Sequence, residues 1–102
     1  MSIDVSVKTL EDEAVLLLSG RIDREAAAEL ESAWISARAT APSTVLLDFS
    51  RIDYINSTGI ALIVGFITQA RASGVSLRAA GLTEHYRHIF DITRLSDYIE
   101  IA

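Results

Sequence analysis

Cysteine is absent from the 102 residues. That excludes disulfides, thiolate nucleophiles and cysteine-type zinc sites, and it fits an intracellular protein. Basic residues are scarce as well, 9 Lys and Arg against 14 Asp and Glu, for a formal charge of -5. A surface of that sign repels phosphate backbones and anionic headgroups, so nucleic acid and membrane surfaces are poor partners. Long hydrophobic runs are missing too. The longest, Gly59 to Ile67, falls well short of the roughly 18 residues that mark a membrane helix. The opening MSIDVSVKTLEDE has no basic stretch followed by an apolar one, so the expectation is a cytoplasmic chain, neither exported nor inserted. Proline occurs once, as Pro42, and no repeat, low-complexity tract or linker divides the sequence.

What is present is material for one core. Half of the residues are hydrophobic, which excludes global disorder, and the length suits a single domain over residues 1–102. Ile3, Val5 and Val7 alternate with polar residues, the pattern of a strand with one wet face. Ala14 to Leu18 is a continuous apolar run, as expected of a strand covered on both faces, and the two make a hairpin. Asp23 stands at a helix N-cap position, and Ala26, Ala27, Leu30, Ala33, Trp34 and Ala37 recur at spacings of three and four, which predicts a helix from Arg24 to Arg38. Thr44 to Phe49 reads as a buried strand, SRIDYIN as a short connection, and Thr58 to Ser73 as a helix broken by Gly74. Val75 to Ala79 is a fourth strand, Thr83 caps a short helix with Tyr86, Ile89 and Phe90 on its apolar face, and Tyr98 to Ile101 alternates again. The order ββαβαβαβ predicts an α/β domain: a mixed, mostly parallel sheet of about five strands, with helices after the second, third and fourth.

In such sheets, sites are built at the carboxyl ends of strands. The unusual segment is Asn56-Ser57-Thr58-Gly59, a polar knot directly before a long apolar helix, where Asn56 or Ser57 can accept hydrogen bonds from unpaired first-turn N–H groups. Read from the residues alone, the knot is first of all an N-cap.

The stretch LLDFSRIDYINSTGIALIVGFITQAR, with the upstream LLLSGRID and the downstream GVSLRAAGLTEHYRHIFDITRL, resembles the STAS domain of bacterial anti-sigma-factor antagonists over essentially the whole chain. In that family the segment ends in Asp-Ser-Ser/Thr-Gly, and the first Ser is phosphorylated by a partner kinase that is also the anti-sigma factor. By this resemblance Ser57 is the phosphosite, with Thr58 as the alternative, and Gly20-Arg21-Ile22-Asp23 matches the family's Gly-x-Leu/Ile-Asp loop beside it. Asn56 departs from the family's Asp. The resemblance implies a partner-binding site of Arg21, Asp23, Asp53, Asn56, Ser57 and Thr58. The implied partner is an anti-sigma factor and serine kinase of the histidine-kinase-like ATPase type, with a phosphatase to reverse the mark. STAS modules also serve as subunits on the ATPase of lipid-transport ABC complexes, where a Thr often occupies this turn, and as scaffold subunits of signalling assemblies.

The remaining residues point away from catalysis. Ser57 lies outside any Gly-x-Ser-x-Gly context, and the histidines come from a distant helix, so no Ser-His-Asp arrangement and no enzyme is expected. His85 and His88 share a helix face but lack a third ligand, and no Gly-rich phosphate loop occurs, so neither metal nor cofactor is expected. Asp48 reads as an acceptor for backbone N–H groups, Asp53 and Arg51 as either a docking border or solvated loop, and Trp34 as core.

Overall fold

The computed structural model describes residues 3–102. Strands β1 (Ile3–Leu10) and β2 (Glu13–Ile22) form an antiparallel hairpin. A 3-10 turn at Arg24–Ala26 leads into helix α1 (Ala27–Arg38), then β3 (Thr44–Ile55), α2 (Ser57–Ser73), β4 (Ser76–Ala80), α3 (Glu84–Ile92), a second 3-10 turn at Leu95–Asp97 and β5 (Glu100–Ile101). The sheet order is β1-β2-β3-β4-β5, and every pairing after the hairpin is parallel. This is the mixed five-stranded α/β architecture that the strand and helix patterns predict.

Because each crossover steps to the next strand in the same direction, the helices gather on one side of the sheet. There Leu16, Leu18, Val45, Leu47, Phe49 and Leu77 meet Leu30 and Trp34 of α1, Ile63 and Phe66 of α2, and Phe90 of α3. Trp34 and Phe66 lie 5.4 Å apart, ring centre to ring centre, and Phe49 meets Phe90 edge-on at 6.0 Å. The caps follow the sequence: Asp23 accepts the N–H of Glu25, Thr83 that of Tyr86, and Gly74 closes α2 at a positive φ of 71°.

Three expectations are corrected. The Ala14–Leu18 run is covered by helices on one face only: Leu17 on the other is 41% exposed, and Val15 there is shielded by its cross-strand neighbours Lys8 and Leu46. An ion-pair network crosses the same bare face, where Arg78 meets Glu100 at 2.8 Å and Glu13 at 3.3 Å. Ser50 to Ile55 is not a connection but the continuation of β3, paired with β2 across two register shifts. The last strand is shorter than its alternation suggested, because Leu95–Asp97 forms a 3-10 turn and only Glu100 and Ile101 pair with β4.

Gly65 sits inside α2, and a Cβ placed there meets nothing within 4 Å. Gly65→Ala is therefore expected to stabilise the domain by up to about 1 kcal/mol. A melting curve followed by circular dichroism should move up by a few degrees; a downward shift would show that the space is not free.

Candidate functional site

The polar knot lies where β3 hands over to α2, beside the end of β2. Asn56 is the cap: its backbone is extended, its Oδ1 accepts the Gly59 N–H at 2.8 Å, and its C=O accepts the Ile60 N–H at 2.9 Å. The open choice between Asn56 and Ser57 as capping side chain is thereby settled. Ser57 is the first helical residue, exposed, and its hydroxyl has no protein partner among the described residues. Thr58 is exposed next to it. The helix start also carries no acidic residue in its own first turn, so none of its own residues offsets its partial positive charge.

Gly59 fixes how close this helix start sits to the sheet. It is buried, and a Cβ at that position would lie 2.0 Å from the Ile22 carbonyl oxygen. The same carbonyl accepts the Asn56 N–H at 3.2 Å, so the end of β2 and the start of α2 are stitched together through one backbone group.

That stitching brings the Gly20–Asp23 loop to the knot. Asp23, Arg24, Glu25, Asn56 and Thr58 line a shallow depression of about 300 Å³. Arg21 borders it through Asp23, at 3.9 Å, and its guanidinium lies 4.9 Å from the centre of the Tyr54 ring. Of the expected docking residues, Asp23, Asn56 and Thr58 therefore converge, with Arg21 and Ser57 at the margin. Asp53 is exposed on β3 and does not line the depression. Arg24 and Glu25, which sequence reasoning assigned only to a helix, belong to it.

A residue of the site came from the far helix. The Tyr86 hydroxyl of α3 accepts the N–H of Ile55 at 2.9 Å, one residue before the cap. Its signal in the sequence was faint: a tyrosine where a phenylalanine would serve an apolar face equally well. Tyr86→Phe strands a donor beside a buried residue and should destabilise by about 1–3 kcal/mol. Urea denaturation of the two proteins measures this, and equal midpoints would mean that water replaces the hydroxyl.

Elsewhere the chemistry is sparse. A larger hollow of about 380 Å³ lies on the helix-free sheet face, but its Asp48 carboxylate is already engaged by the N–H and the hydroxyl of Ser50, at 2.9 and 2.7 Å. His85 and His88 are exposed on α3, and among the described residues no group of three His, Asp or Glu side chains is placed to hold a metal. No described helix is long and apolar enough to cross a membrane.

Comparison with known proteins places this geometry in context. The family model described as "Mlab, STAS domain" matches residues 5–101. The anti-sigma-B factor antagonist of Bacillus subtilis is 30% identical over 102 residues, covering 100% of this chain and 93% of its own. In structure, the chain resembles an anti-sigma factor antagonist from Mycobacterium paratuberculosis, with a TM-score of 0.76 at 24% identity over 98% of this chain and 85% of that one. It also resembles the Bacillus cell fate determinant SpoIIAA in its phosphorylated form, with a TM-score of 0.73 at 18% identity over 97% and 91%. With the family model matched over nearly the whole chain and a relative 30% identical along all of it, the chain belongs to the STAS-domain family of anti-sigma-factor antagonists.

Proposed function

We propose that this protein is a partner-switching module with no chemistry of its own: unphosphorylated, it binds a kinase-type anti-sigma factor in the cytoplasm, and phosphorylation of Ser57 by that partner releases it until a phosphatase removes the mark. The observation that carries this reading is the division of labour at the start of α2. Asn56 does the capping, so the exposed Ser57 hydroxyl is available for modification without loss of a structural hydrogen bond. A phosphoryl group there adds roughly -1.5 to -2 charges at a helix N-terminus, where the dipole and free N–H groups favour an anion, so the domain stays folded in both states. Beyond Ser57, the exposed side of α2 is uncharged through Ala61, Val64 and Thr68, a surface suited to a partner and poorly suited to one end becoming a dianion.

The test is incubation with the cognate kinase and ATP, followed by mapping of the modified residue. Ser57→Ala is expected to stay folded, bind the partner and take no phosphate, whereas Thr58→Ala is still modified. Asn56→Asp, which restores the family's usual residue, is expected to speed phosphorylation. Phosphate on Thr58 alone would move the site by one residue.

A second reading rests on Thr58, which is exposed and lines the depression. As a subunit on the ATPase of a lipid-transport ABC complex, the protein would co-purify with that ATPase, stay unmodified and lose its partner on Thr58 substitution rather than on Ser57 modification.

A further inference from the structure

The two edges of the sheet differ in kind. β5 offers two residues, whereas β1 runs for eight, with no proline, glycine or bulge, and pairs on one side only. An edge of that length leaves a row of N–H and C=O groups facing water, ready to pair with another strand. Its side chains have a pattern of their own. Asp4, Ser6 and Lys8 share the helix-free face and are all exposed, while Val5 and Val7 share the other, where Val7 remains 37% exposed. Neither Asp4 nor Lys8 has an ion-pair partner among the described residues.

We propose that β1 is a self-association edge: it pairs antiparallel with β1 of a second copy about a twofold axis at Ser6, joining the two sheets into one. In this register Asp4 stands opposite Lys8 of the second copy, and Lys8 opposite the second copy's Asp4, on the helix-free face. On the helix side each Val5 meets the other copy's Val7. Directly opposed residues of antiparallel strands have side chains close enough for ion pairs and apolar contact, and a twofold axis makes every such contact twice. Competing registers lose the opposed ion pairs: an axis at Val5 sets Asp4 opposite Ser6, and one at Val7 sets Lys8 opposite Ser6. Moving the axis to Asp4 or Lys8 sets like charges against each other, as does in-register parallel pairing. A one-residue slip puts the valines on the wrong face. One paired edge buries less than the roughly 1,000 Å² of a durable interface, so the dimer is weak, with dissociation in the micromolar range, and it weakens further with salt.

Sedimentation velocity of the full chain, from about 10 µM to 1 mM, reads this directly. The expected result is a concentration-dependent monomer–dimer equilibrium. Asp4→Lys and Lys8→Asp each weaken it by about tenfold or more, because each places like charges opposite one another twice. Mixing the two single variants restores association, since one chain then carries lysine at both positions and the other aspartate at both, so that each opposed pair is again one of unlike charges. The double variant, Asp4→Lys with Lys8→Asp, restores it within one chain. Both side chains are exposed, so far-UV circular dichroism should stay unchanged throughout. A protein that remains monomeric at about 1 mM, or a dimer indifferent to both charge variants, overturns the proposal.

Discussion

Gly59→Ala is expected to lower the stability of the domain by about 3–5 kcal/mol, far more than an added methyl group ordinarily does. The new Cβ would stand 2.0 Å from the oxygen and 2.8 Å from the carbon of the Ile22 carbonyl, and 3.0 Å from Cγ2 of Ile55. The first two atoms are backbone at the end of β2, where Ile22 pairs with Ile55 of β3, so they cannot turn aside as a side chain would. The helix must move instead. Moving it stretches the Asn56 N–H from the Ile22 carbonyl and the Gly59 N–H from Asn56 Oδ1, so the clash removes the cap as well. For a domain of this size, each kcal/mol is worth roughly 4–8 °C, which places the drop in melting temperature on the order of 15–30 °C. Thermal denaturation followed at 222 nm is the measurement. A drop of under about 5 °C would show that α2 can slide outward along the sheet at little expense.

Ser57→Asp is expected to do the reverse, sparing the fold and sharply weakening the interaction. An acidic group at the first helical position gains roughly 0.3 to 1 kcal/mol from the helix dipole, so the melting temperature should stay within a few degrees. Partner binding, by contrast, must bring a charge onto a face that continues through Ala61 and Val64 without any compensating cation of its own. The desolvation and repulsion amount to about 2–5 kcal/mol, or roughly thirty- to several-thousand-fold in affinity. Titration of the anti-sigma partner by calorimetry, with Ser57→Ala as the neutral control, separates charge from mere alteration of the side chain. Equal affinity for Ser57→Asp and the parent protein would remove the switch from this position.

The element order, the caps at Asp23 and Thr83 and the stop at Gly74 were legible because each rests on local rules: a short polar side chain before an apolar period, or a glycine where φ turns positive. The end of β3 was not, because the alternation Val45, Leu47, Phe49 breaks at Ser50 and Arg51, and the register shifts against β2 displace the following buried positions to Ile52 and Ile55. Nor did the run Ala14–Leu18 reveal its single covered face. A valine shielded by an edge lysine and a neighbouring leucine reads in sequence like one shielded by a helix. At the site, the polar knot announced itself, but Asn56 and Ser57 were equivalent caps until the Gly59 N–H showed which one it meets. Tyr86 lies 31 residues from the amide it accepts from, a distance no local pattern spans.

The amide at position 56 has one more consequence. An aspartate cap titrates, losing its charge and half of its acceptor character as the solution is acidified, whereas asparagine does not ionise. With no acid in the first turn of α2 either, the tip of that helix keeps the same charge from mildly acidic to neutral conditions. Acidity is thus silent at the cap and first turn of α2, and on the proposed reading their charge changes only when Ser57 gains or loses its phosphoryl group.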